Sequence, residues 1–138
     1  MLLSRVSALI AVRLHAEDGG DDVPLLGRLS YDRADPYAVR AQFFTRDTAL
    51  PSWCFDRQML AEGLQRPVGE GDVTFRPQWT AGGEAVRIAL RDSAGGQGAV
   101  LLLDARAVTG FLDETYAVIA PGAETFDADG FLEELLAR

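Results

Sequence analysis

The stretch WCFDRQMLAEGLQRPVGEGDVTFRP, residues 53–77, decides the fold because it changes structural type twice. Trp53, Cys54 and Phe55 are short, aromatic and strand-like. Asp56 is of the type that caps helices, its carboxylate able to accept from a backbone amide of the first turn. Met59, Leu60, Gly63 and Leu64 recur at the spacing of one helical face, and Pro67 stops the helix. Gly69 and Gly71 then begin a new strand, in which Val73 and Phe75 alternate with Thr74 and Arg76.

Strands extend outward on both sides. Towards the N-terminus, Val6, Ala8, Ile10, Val12 and Leu14 share one phase, the period of two of a strand over 5–15. EDGGDD (17–22) breaks it as a loop. A second strand follows near 25–32, with Leu29 and Tyr31 on one face and Arg28 and Ser30 on the other. YDRADPY (31–37) is a turn, because Pro36 fixes its own φ and disfavours helix at Asp35. A third strand, 37–45, places Tyr37, Val39, Ala41 and Phe43 inward and Arg40 and Gln42 outward.

Towards the C-terminus, Gly82-Gly83 reads as a hairpin turn. Val86, Ile88 and Leu90 form the return strand, with Arg87 on its opposite face. A glycine-rich hairpin loop (95–98) leads into AVLLL (99–103), a buried strand. Asp104 caps a helix whose face is Val108, Phe111, Leu112 and Tyr116. Asp127 or Asp129 caps a last helix, with Phe131, Leu132, Leu135 and Leu136 on one stripe that packs in the core or against a neighbouring subunit. The sum is an α+β fold of about seven mostly antiparallel strands and two to three helices, one domain over 1–138. Strands followed by a helix, twice over, hint at a duplication with no repeat at the level of residues.

Composition narrows the function. The 138 residues contain one cysteine, Cys54, so no intrachain disulfide forms and no cysteine cluster can hold zinc. The opening MLLSRVSALIAVRL lacks a basic leader and is interrupted by Arg5 and Arg13, which speaks against a secretory signal and for a cytoplasmic protein. No run approaches a membrane span. All 13 basic side chains are arginine, so chemistry that requires lysine, such as a Schiff base or a Walker motif, is absent. The net charge of −8 sits in the 17–22 loop and beyond residue 112, while residues 23–112 are balanced.

No catalytic constellation emerges, and no cofactor or metal is expected. His15 is the single histidine, at a strand end, with no GxSxG elbow for it to serve. Cys54, between Trp53 and Phe55, reads as a small buried hydrophobe. Gly95-Gly96-Gln97-Gly98 and Gly69-Glu70-Gly71-Asp72 enter strands, whereas a dinucleotide fingerprint opens a helix. EDGGDD lacks the alternating ligands of a calcium loop.

What remains is surface. Arg28, Arg40, Arg76 and Arg87 all fall in the polar phase of strands. They read first as a solvated face balanced by neighbouring carboxylates. The second reading, a nucleic-acid surface, is opposed by the acidic ends and by the lack of aromatics in the same phase.

The block YDRADPYAVRAQFFT (31–45), followed by residues 53–77, resembles the SsgA-like sporulation and cell-division proteins of actinomycetes, in particular the SsgB branch. The likeness rests on Tyr31, Asp32, Asp35, Pro36 and Tyr37, then Gly63, Leu64, Pro67, Gly69, Gly71 and Asp72, and runs more loosely to the C-terminus. These are turn, cap and packing residues that mark a fold. The resemblance implies a non-enzymatic regulator of septation, recruited from the cytoplasm to the septum. Its implied partners are FtsZ or an SsgA-like paralogue, and its implied assembly is a homotrimer. It also implies an architecture similar to the Whirly and guide-RNA-binding proteins, which keeps single-stranded nucleic-acid binding as the alternative function.

Overall fold

The computed structural model describes residues 4–15, 20–46, 49–91, 98–125 and 136–137. Eight strands and two helices follow in the order β1 (Arg5–His15), β2 (Val23–Asp32), β3 (Asp35–Phe44), β4 (Trp53–Asp56), α1 (Arg57–Gly63), β5 (Val68–Glu70), β6 (Val73–Thr80), β7 (Gly83–Arg91), β8 (Gly98–Asp104) and α2 (Ala105–Val118). All eight strands join one antiparallel sheet in the order β4-β3-β2-β1-β8-β7-β6-β5. Four strands and a helix therefore occur twice, so the expected repetition holds as topology. The α+β class holds too, with eight strands in place of seven and two helices among the described residues.

The missed strand is β5. Gly69 and Gly71 do not open one strand; they belong to a hairpin in which Val68, Gly69 and Glu70 pair with Phe75, Thr74 and Val73. Gly71 turns the chain with φ at +61°, a left-handed conformation that costs glycine nothing. A three-residue strand with a glycine at its centre and a turn glycine at its end carries too little alternation to register as one.

The sheet is rolled. Phe55 on the edge strand β4 meets Phe75 on β6, beside the opposite edge, with ring centroids 5.4 Å apart in an edge-to-face contact. Helix α1 links the two edges in sequence and packs on β3, β4, β5 and β6, while α2 packs on β1, β7 and β8. Asp56 and Asp104 cap these helices as expected, accepting from the amides of Met59 and Ala107 at 3.0 Å. Inside the roll, Ile10, Val12, Leu29, Val39, Phe43, Ile88 and Leu103 meet Leu60, Val108, Phe111 and Leu112 in one core. Val100 to Leu103 are all buried, as the apolar run implied.

Gly63 is fixed by packing. A Cβ there would lie 2.3 Å from the Cβ of Phe75, so α1 can approach β6 only through a glycine. The helix and the strand that the deciding stretch joins are thus held face to face by one missing methyl.

Two expectations are corrected. Cys54 is exposed. Between Trp53 and Phe55, both turned to the core, alternation must turn it outward. Tyr37 is exposed while its neighbour Pro36 is buried. The register of β2 and β3 shifts between Ser30 and Asp32, so the phase of Val39 does not carry back to residue 37. The proposed C-terminal helix cap at Asp127 or Asp129, and Phe131, Leu132 and Leu135, lie outside the described residues; Leu136 is 84% exposed.

Candidate interaction surface

The turn between β2 and β3 is tied together by its own side chains. The buried Tyr31 hydroxyl donates to the Pro36 carbonyl at 2.9 Å. One oxygen of Asp32 accepts from the Ala34 amide at 2.9 Å, and the other from Arg5 Nε at 2.7 Å. Asp35 pairs with Asp32 across the turn. Tyr37 reaches away, its hydroxyl donating to the Glu124 carbonyl at 2.9 Å.

Glu124 leads to the one buried charge among the described residues, which nothing in the local sequence announces. Arg57, the first residue of α1, is 2% exposed. Its guanidinium lies 4.7 Å from the ring centre of Tyr31 and 5.1 Å from that of Tyr116. One nitrogen donates to the carbonyls of Thr115 (3.3 Å) and Ile119 (2.8 Å) and to Thr115 Oγ1 (3.4 Å). The other is ion-paired to Glu124, whose carboxylate also accepts from the Gly122 amide at 3.2 and 3.1 Å. The hydrogen bond from Arg57 holds the Glu124 carboxyl below its ordinary value of 4.5. Burial pushes the phenols of Tyr31 and Tyr116 up from 10.0, against the opposing pull of Arg57.

This is a structural clamp. It fastens the end of α2 and the 119–124 segment to the start of α1. A groove of about 360 Å³ runs beside it, past Gln58, Ala61, Gln65 and Pro121. Its cation is already satisfied by Glu124. His15 also has a partner, Asp22, at 3.0 Å between Nδ1 and Oδ1. Among the described residues, no three histidine, cysteine or carboxylate side chains gather as a metal site.

The arginines in the polar strand phase divide into two groups on the convex face of the roll. Arg76 stands opposite Arg87, which stands opposite Leu102, which stands opposite Arg13. Across β1–β3, Leu9, Arg28 and Gln42 form one row, and Ser7, Ser30 and Arg40 the next. Five strand steps of about 4.8 Å separate β3 from β6, so the four arginines chosen from sequence do not converge on one point. Of these, Arg28, Arg40 and Arg76 are exposed, as is Arg13, and none of them forms an ion pair among the described residues. Among the described residues, the carboxylates Asp22, Asp32, Asp56 and Asp104 of this face sit at strand ends or just beyond them and are engaged there with His15, with Arg5 or in helix caps, and the exposed Asp72 precedes β6.

Three exposed or half-buried apolar residues accompany the second group. Ala11, Leu26 and Phe44 lie directly opposite one another, beside the Leu9 row. Leu9 is 58% and Leu26 46% exposed. No alternation rule reveals these, because a leucine in the polar phase looks like an error of phase until the pairing is known.

Known proteins share this architecture and sequence. The family model described as Streptomyces sporulation and cell division protein SsgA matches residues 25–124. A sporulation-specific cell division protein SsgB of Streptomyces coelicolor is 44% identical over 118 residues, covering 84% of this chain and 85% of that protein. The SsgA-like sporulation-specific cell division protein of Thermobifida fusca superposes with a TM-score of 0.83 at 31% identity, covering 98% and 96% of the two chains. A solved structure described with SsgB mutations that correlate to longitudinal cell division during sporulation of Streptomyces coelicolor gives a TM-score of 0.80 at 40% identity, covering 88% and 93%. With most of its length matched in sequence and in fold, the chain belongs to the SsgA family of sporulation and cell-division proteins, as an SsgB-type member.

Proposed function

We propose that this protein is a non-enzymatic adaptor of sporulation-type cell division, which helps position the septum by recruiting FtsZ. The observation that carries the reading is the contrast between a chain named by its relatives as a division protein and a surface built for contact: exposed arginines and leucines in the middle of strands. Among the described residues, the titratable groups with a shifted balance, Glu124, Tyr31 and Tyr116, all serve the Arg57 clamp. In this reading the protein works in the cytoplasm, is drawn to the septum, and assembles as a homotrimer or with an SsgA-like paralogue. No described helix is long and apolar enough to cross a membrane.

Size exclusion with light scattering, with and without purified FtsZ from the same organism, tests it. A trimer that co-elutes with FtsZ or alters its polymers supports the adaptor. A monomer indifferent to FtsZ overturns direct recruitment. The second reading, single-stranded nucleic-acid binding, is favoured by the exposed strand arginines Arg28, Arg40 and Arg76, which form no ion pair among the described residues. It predicts oligonucleotide affinity that collapses with salt. Against it, the exposed aromatics Tyr37 and Trp79 lie outside the arginine phase and give bases no platform there.

A further inference from the structure

We propose that the convex face of β1–β3 is a docking surface for an acidic, apolar protein segment, one that sets carboxylates beside leucine- or phenylalanine-like side chains. The proposal rests on the adaptor reading for its purpose, but its observations stand apart from it.

Cross-strand register fixes the layout. Ala11, Leu26 and Phe44 make an apolar row, with Leu9 two residues along β1 on the same face. Arg28 stands opposite Leu9, Arg40 lies one row further, and Arg13 flanks the row on its other side, opposite Pro24. The leucines are about half exposed, and Arg13, Arg28 and Arg40 make no ion pair among the described residues. The whole chain is acidic, at −8, yet these strand interiors present arginine and no described carboxylate. A patch whose centre is apolar and whose charges within the strands are all arginine complements a segment with the same layout and the opposite sign.

The alternatives fit less well. A two-fold copy of this face would set arginine against arginine. A nucleic acid would find phosphate partners but only the half-buried Phe44 for its bases. A protein segment uses both the leucines and the guanidinium forks, which accept carboxylates in pairs.

A library of random twelve-residue peptides displayed on phage, panned against the full chain, tests this. The enriched sequences should pair Asp or Glu with Leu, Ile or Phe. A synthetic consensus peptide should bind at least tenfold more weakly to Arg28→Glu, to Arg40→Glu and to Leu26→Asp, each checked for unchanged melting. Should Leu26→Asp fail to fold, the two exposed arginine reversals still decide. Failure to enrich acidic sequences, or equal binding to wild type and the arginine variants, overturns the proposal. So does tighter, equally variant-sensitive binding of a dT12 oligonucleotide or of phosphatidylglycerol vesicles, or loss of self-association in Leu26→Asp without loss of peptide. Co-sedimentation with FtsZ polymers runs in parallel. If FtsZ binds wild type and variants alike, the surface assignment falls and the adaptor stands. If acidic peptides need Arg28 while FtsZ never binds, the surface stands and the recruitment of FtsZ falls.

Discussion

Arg57 and Arg28 carry the same side chain in opposite circumstances. Arg57 is sealed between two tyrosine rings, with carbonyls and a carboxylate taking its donors. Arg28 is exposed on a strand, with no described acid near enough to pair and a leucine opposite. The first has spent its hydrogen-bonding capacity on the fold; the second keeps it for something else. A basic residue on a protein of this charge is therefore informative only once its partners are known.

The widest separation between the two should appear in stability. Arg57→Ala removes a buried cation that is hydrogen-bonded between two tyrosine rings and unsatisfies the Ile119 carbonyl, so a loss of about 3–5 kcal/mol is expected. Urea unfolding of Arg57→Ala beside Arg28→Ala measures it. An Arg57→Ala protein as stable as wild type would mean that the clamp is ornamental and that the two arginines do not differ in kind.

Next in size is Gly63→Ala, which tests the packing that lets α1 present Arg57 at all. The added methyl would sit 2.3 Å from the Phe75 Cβ, so α1 must shift off β6, at a cost of about 1–3 kcal/mol. The helical propensity of alanine works in the other direction by roughly 1 kcal/mol and should be outweighed. A stabilised Gly63→Ala would show that helix and strand part without penalty.

The clamp should also make the stability of the fold depend on pH at both ends of the range. Glu124 titrates lower in the folded protein than unfolded, so its contribution is present above 4.5 and is lost as pH falls through its folded value. Tyr31 and Tyr116 titrate higher when folded, so stability is retained below 10.0 and lost as pH rises beyond it. Denaturation midpoints followed from pH 3 to 11 should form a plateau with both shoulders. Glu124→Gln should flatten the acid shoulder and leave the alkaline one, and an unchanged acid shoulder would remove Glu124 from the account.

How much of this was legible follows from how local each signal is. Strand phases, the caps Asp56 and Asp104, and the α2 face of Val108, Phe111 and Leu112 depend on neighbours within a few residues, and sequence alone places them. Cys54 should have been placed correctly, since its two aromatic neighbours share the inward phase. Strand β5 escaped because three residues, one of them Gly69, between Pro67 and the turn at Gly71 hold no period. Arg57 escaped for a different reason: its partners lie 58 to 67 positions away, and an arginine at a helix start reads as solvated. The apolar row on the convex face needed three strands in register before Ala11, Leu26 and Phe44 became neighbours.

The smallest expected effect is the one that gives the comparison its point. Arg28→Ala removes no described ion pair or hydrogen bond and leaves a strand position that is already exposed, so stability should move by no more than about 0.5 kcal/mol. Relief of repulsion between like charges on the face even allows a slight gain, largest at low salt. A loss beyond 1 kcal/mol would mean that Arg28, like Arg57, is held by the fold, and would remove it from any surface kept for a partner. A neutral result combined with weakened partner binding separates the two roles of arginine in this chain. One fastens α1, α2 and the segment that follows it, and the other waits on the outside of the sheet with its donors unspent.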